Sequence, residues 1–256
     1  MKGFVSVYRK ELYSLFASPV FYAVAFTFLI IAGYFLYSAI VYFNLLSFQA
    51  GQNPMMAKQM NIMEMVLRPF FFDLGIVLLL MSPLLTMRLY AEERKAGTME
   101  LLFTYPLTDH SVVLAKFAAV VSAFAVIVLG TLPGIFLLNY VGSPTWKPIL
   151  CGYLGVLLLG SSFMSLGIFT SSLTQNQIIA AVLSFGALLM LWVIGWAKSY
   201  AGATIGEVLD YLSVIKHFDS FSKGVLDSRD LVYYLVFIVF FLFLTLRQMT
   251  AYRWRG

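Results

Sequence analysis

The sequence predicts an all-α polytopic membrane protein with six transmembrane helices, and three observations carry that expectation. Of its 256 residues 61% are hydrophobic and 11% are charged, whereas a soluble domain needs about 25% charged residues to face water. The 24 Phe, 15 Tyr and 4 Trp supply apolar area that disordered chains lack. Six apolar stretches reach the roughly 20 residues that a helix needs to cross a bilayer core. They lie at 21–43, 69–87, 117–138, 149–171, 177–197 and 231–249 of a single transmembrane domain covering 1–256. Helices are expected because lipid offers unpaired backbone groups no partner and the alternation of a spanning barrel is absent.

The elements follow in order. Within 1–18, Phe4, Tyr8, Leu12 and Leu15 recur at helical spacing beside Arg9, Lys10 and Glu11, a pattern for a helix lying in the headgroup layer. Ser18 and Pro19 fit an N-cap and first-turn proline for the first span, which is too long for a cleavable leader. Pro83 and Pro133 are expected to kink spans two and three. In span four Gly152, Gly155, Gly160, Ser161, Ser162, Ser165 and Gly167 permit close helix approach, and packing within the chain is favoured over a substrate groove.

Six spans place both termini on one side. Taking that side as cytoplasmic gives it 10 Lys and Arg against five acids, and the opposite side seven against six, the sense of the positive-inside rule. Trp146, Trp192, Trp196 and Tyr200 are then expected at the outer interface and Trp254 at the inner one, as aromatic belts. Asp73 falls inside span two, about 6 Å from its start, where contact with solvent or pairing with Arg68 is favoured over a site role. His217 is expected at a cap or on the surface. Cys151 is the lone cysteine, so no disulfide within the chain and no metal cluster is expected. The basic residues are scattered rather than patched, which argues against nucleic acid.

Two connections are longer than connections need be. In 88–116, Gly97 can end a helix carrying Glu92, Glu93, Arg94 and Lys95. Thr98 can cap a short helix bearing Glu100, Leu101 and Leu102, Pro106 can stop it, and Asp109 can cap span three. On the residues alone this segment reads equally as a displayed helix or a capped surface loop. In 198–230, Val208, Leu209, Leu212, Ile215, Phe218 and Phe221 recur at amphipathic spacing.

The run from Glu92 to Leu102, followed by Pro106 and Lys116, resembles the cytoplasmic signature of ABC-2 type permeases. Among these the chain is most similar to the permeases of gliding-motility and copper-enzyme-maturation transporters. The resemblance covers the whole chain, including the Ser172-Leu173-Thr174-Gln175-Asn176 turn. It implies a cytoplasmic coupling helix docked on a separate ATPase, with Glu92, Glu93, Arg94, Gly97, Thr98, Glu100, Leu101, Leu102 and Pro106 as coupling residues. Thr174, Gln175 and Asn176 would form a second cytoplasmic turn. It also implies an outer re-entrant helical hairpin at 198–230, a second permease copy or related permease, an outer accessory protein in some systems, and an inner-membrane location. Arg94-Lys95 departs from the more acidic pattern of some relatives.

The chain has no G-x-x-x-x-G-K-[ST] loop, so it is expected not to be an enzyme by the P-loop route, and ATP and Mg are expected on the partner ATPase. It also lacks H-E-x-x-H and G-x-S-x-G. The function expected is a permease subunit coupling that hydrolysis to export or to force transmission. The alternative is a membrane scaffold organising an outer assembly, and an intramembrane enzyme using Asp73 or His217 has no companion residue in sequence to support it.

Overall fold

A serine and a proline turn the chain into the membrane. Helix α1 (Lys2–Ala17) gives way at Ser18 to α2 (Pro19–Ala50), whose first turn is capped by Ser18 Oγ accepting from the Val20 N–H at 3.2 Å. Pro19 occupies the position where a missing N–H costs no intrahelical bond. The computed structural model describes residues 2–51, 61–99, 108–141, 145–199 and 202–253, and among these every regular element is helical. Six helices there are long and apolar enough to cross a membrane: Pro19–Ala50, Met63–Lys95, Asp109–Leu138, Trp146–Leu173, Gln177–Trp196 and Ser228–Arg253.

Span two opens with a wide turn, Met63–Leu67, in which the Arg68 N–H reaches the Met63 carbonyl, and continues as α3 (Arg68–Thr86). Pro83 lies within α3, and the helix is interrupted four residues later, at Met87, before resuming as α4 (Arg88–Lys95). Span three is likewise divided, into α5 (Asp109–Leu129) and α6 (Leu132–Val141). The break falls at Gly130 and Thr131 and not at Pro133. Pro133 instead sits in the first turn of α6, where its lack of an N–H is harmless.

Span four, α7 (Trp146–Leu173), packs against α3, α5, α8, α10 and α11. Its glycines explain how one helix meets so many neighbours. A Cβ at Gly152 would lie 2.1 Å from the Phe71 ring, at Gly155 2.4 Å from Phe221, at Gly160 2.3 Å from Phe124 and at Gly167 2.1 Å from Thr86 Oγ1. Each absent side chain is therefore a notch, two of them filled from α3, one from α5 and one from the later helix that carries Phe221. Span five is α8 (Gln177–Val193), tightening into a last turn at Ile194–Ser199. Two short helices, α9 (Ala203–Leu212) and α10 (Val214–Ser222), lead to span six, α11 (Ser228–Arg253).

Burial divides the spans. In spans two, three and four, 67%, 56% and 72% of the most apolar window is buried, against 22%, 22% and 28% in spans one, five and six. The outer three thus offer their apolar sides to lipid or to another subunit.

Three sequence expectations change here. Trp192 is buried rather than interfacial, because Gly75 leaves room for its indole at 3.2 Å, whereas Trp146 and Trp196 are exposed. Tyr200 and Trp254 lie outside the described residues. Arg68 pairs with Asp219 of α10 at 2.8 Å and not with Asp73, which stays half-buried without an ion-pair partner among the described residues. His217 is buried, with a capping role and no surface. The amphipathic pattern of 198–230 becomes two helices joined at Ser213. Val214, Phe218 and Phe221 face the core, while Val208 and Leu212 stay exposed.

Asp219 also accepts from Lys223. Burial pushes the Asp219 carboxyl up, but the hydrogen bonds and charges of Lys223 and Arg68 outweigh it and hold its pKa below 3.8. A lowered folded value means that its stabilisation is complete above the unfolded value and disappears as pH falls through the folded one. Hydrogen exchange at 214–222 is therefore expected to stay slow from neutrality down to pH about 4 and to quicken below it. Protection unchanged to pH about 2 would contradict this linkage. For the notches, Gly155→Ala is expected to lower stability by about 1–3 kcal/mol through overpacking. Gly33→Ala, whose Cβ would meet nothing within 4 Å, leaves thermal unfolding in detergent unchanged or slightly raised. Equal losses would refute the notch assignment.

Candidate coupling site

Seven residues into span three, inside an otherwise apolar run, stands Lys116, whose side chain is 0% exposed. An ammonium has three N–H donors and in a low-dielectric interior needs acceptors for them. Lys116 Nζ lies 2.9 Å from Glu11 of α1, 3.0 Å from Glu93 of α4 and 2.8 Å from the Leu89 carbonyl, with the Tyr90 ring centroid at 4.9 Å. Lys10 completes the group, 2.7 Å from Glu93 and 3.4 Å from Glu11. Two ammoniums and two carboxylates thus alternate, with no net charge. Burial works against the Lys10 charge, yet its hydrogen bond to Glu93 and the charges of Glu93 and Glu11 hold its pKa above 10.5. A raised value means that this pairing is complete below the unfolded pKa and fades as pH climbs through the folded one.

Other contacts tie α4 to the ends of spans four and six. The interruption at Met87 leaves the first N–H groups of α4 without intrahelical acceptors. Ser171 of α7 supplies one: its Oγ accepts from Tyr90 and Ala91 at 3.1 and 3.2 Å and donates to the Met87 carbonyl at 2.8 Å. Arg94 donates to the Ser172 carbonyl at 2.6 Å and lies over the Tyr252 ring. Arg88 donates to Ser18 Oγ, Tyr8 donates to Ser122, and Arg253 of α11 pairs with Asp109 at 2.8 Å.

Of the residues singled out in sequence, Glu93 and Arg94 are thus engaged inside the chain, whereas Glu92, Gly97 and Thr98 are exposed. Gly97 has φ +68°, the left-handed conformation that ends helices, and Thr98 Oγ1 reaches back to the Glu93 carbonyl at 3.3 Å. Helix resumes at Thr98 and Met99. Glu100, Leu101, Leu102 and Pro106 lie outside the described residues. In the second turn Thr174 accepts from the Asn176 N–H at 3.1 Å, and Asn176 caps α8 through the Ile178 N–H at 2.9 Å. The two regions meet: Arg94 and Lys95 line one open cleft together with Thr174, Gln175 and Asn176.

Lys116, Glu11, Lys10, Ser171 and Tyr252 went unrecognised as a group from sequence. The available signal was a lysine seven residues inside an apolar helix, which reads equally as the boundary of a span.

Residues 5–253 match the family model described as ABC-2 family transporter protein. The chain belongs to that family. This ABC-2 protein is therefore a membrane permease component of an ABC transporter, a multi-pass protein whose family works with an ABC ATPase. No curated protein matches it.

In the permease, Lys116→Met would leave two buried carboxylates with one exposed lysine between them. Its expected cost is about 3–5 kcal/mol, while Lys10→Met, at a side chain 58% exposed, costs at most about 1 kcal/mol. Thermal unfolding in detergent separates the two, and equal effects would show that Lys116 is not the centre of the group.

Proposed function

We propose that the permease couples ATP hydrolysis by a separate ATPase subunit to export of a substrate or to force transmission across the membrane, with both termini and the 88–116 segment on the cytoplasmic side of the inner membrane. The observation that carries this reading is the fixation of α4, the end of span two, by Lys116 to α1 and span three. A push on the segment beyond Gly97 reaches three elements held by one buried ion group, so α1, span two and span three move as a body. The exposed Glu92, Lys95, Thr98, Gln175 and Asn176 border the face on which an ATPase would sit, and residues 100–106 would supply the docking helix itself. Two permease copies, or a related pair, would each engage one ATPase, which binds ATP and Mg.

Two measurements test this. Purification from native membrane at physiological salt recovers a P-loop ATPase if the reading holds, and its repeated absence counts against it. In the reconstituted pair, Glu100→Lys lowers permease-stimulated ATP hydrolysis several-fold while the permease still inserts, whereas unchanged stimulation removes Glu100 from the docking surface.

A further inference from the structure

Three helix segments meet around His217 on the face opposite the termini, away from the coupling site. His217 stands in α10 and is 3% exposed. Its Nε2 lies 2.9 Å from the Tyr211 carbonyl in the last turn of α9, and its Nδ1 lies 2.7 Å from Asp230 Oδ1 in the first turn of α11. The Tyr233 ring stacks on the imidazole at 3.9 Å, and Tyr211 meets it edge-on at 5.2 Å. Two further bonds close the same junction, Tyr233 to the Leu212 carbonyl at 2.9 Å and Tyr234 to the Val214 carbonyl at 3.0 Å.

Counting protons constrains this arrangement. A carbonyl oxygen only accepts, so Nε2 must carry a hydrogen. The 2.7 Å contact at Nδ1 needs a second, held by the ring if Asp230 is ionised or by the carboxyl if the ring is neutral. Without it, a nitrogen lone pair faces a carboxylate oxygen in a site closed to water. Asp230 Oδ2 is buried with no hydrogen-bond partner among the described residues, so the contact with His217 is where this carboxyl group finds its compensation. A helix C-terminus faces the ring, a helix N-terminus holds the carboxyl group, and the Tyr233 ring covers the imidazole.

We propose that His217 and Asp230 form a proton-binding site, and that the proton bound between them holds α9 and α10 against span six. The closed arrangement binds one proton more than an arrangement in which the contact is broken, so it weakens as pH rises. Other titratable groups on these elements are Glu207 and Tyr211 of α9, the Asp210–Lys216 pair of α9 and α10, Arg229, Tyr233 and Tyr234 of α11 with Asp227 just before it, and the Arg68–Asp219–Lys223 group towards span two. Carboxylates ordinarily titrate near pH 4, and phenols and ammoniums near 10, outside a window of about pH 6–9. The other histidine, His110, is on span three at the terminal face. The site stands independently of any ATPase coupling.

Asp230→Asn separates the bound proton from packing. The introduced amide can donate to a neutral Nδ1 while Nε2–H still serves Tyr211, so the junction stays closed without the extra proton. Spin labels at the exposed Val208 of α9 and Val236 of α11, in the full chain in lipid nanodiscs, report the separation. The wild-type distribution is expected to lengthen and broaden between pH 6 and 9, and that of Asp230→Asn to keep the wild-type pH 6 form at both. A wild-type distribution that does not change, or an Asp230→Asn distribution that moves with pH as the wild type does, would overturn the assignment.

Discussion

The burial of one ammonium constrains the terminal half of this molecule. Lys116 has no exposed surface, and removing such a charge from water costs several kcal/mol that only well-placed acceptors offset. Its three acceptors come from α1 and from α4, the extension of span two. Satisfying one side chain therefore fixes α1, span two and span three relative to one another. Loss of any acceptor leaves a buried charge uncompensated, so the group resists gradual deformation and favours movement as a unit.

Around that group the structure uses backbone discontinuities where a straight helix would offer nothing to bond. The interruption at Met87 frees N–H groups that Ser171 of span four takes up, and the break at Gly130 and Thr131 places the Thr131 hydroxyl 2.7 Å from that of Tyr153. Span four receives neighbours through its glycine notches, and the heavily buried spans two, three and four form a centre to which spans one, five and six are added. Ion pairs join helices at both faces: Lys116 to Glu11 and Glu93 at the terminal one, and Arg68 to Asp219 at the other, where Tyr233 and Tyr234 add hydroxyl-to-carbonyl bonds.

Much of the fold was legible because its signals are local. Apolar length fixed the spans, Ser18 and Pro19 marked the start of span one, and Gly97 marked the end of α4, each through the conformational preference of one or two residues. Span four's small residues announced close approach, but not that Phe71, Phe221, Phe124 and Thr86 would fill the gaps. Of the candidate site the residues of the motif were legible and their partners were not. Glu92, Glu93, Arg94, Gly97, Thr98 and the 174–176 turn could be named from the motif they belong to. The pairings of Lys116 with Glu11 and Arg68 with Asp219 span more than a hundred residues and leave no periodic trace. Trp192 misled for a related reason: a tryptophan near a span end reads as an interfacial anchor until the glycine opposite it is known.

On this mechanism α1 and the base of span three, tied through Lys116, respond to nucleotide as one body. Pulsed electron resonance between labels at the exposed Tyr13 of α1 and His110 of span three, in permease reconstituted with its ATPase, measures this directly. The same separation with and without trapped nucleotide, together with a changed distance from either label to a second permease copy, is the result expected. A nucleotide-dependent change of several ångströms between the two labels would contradict the account.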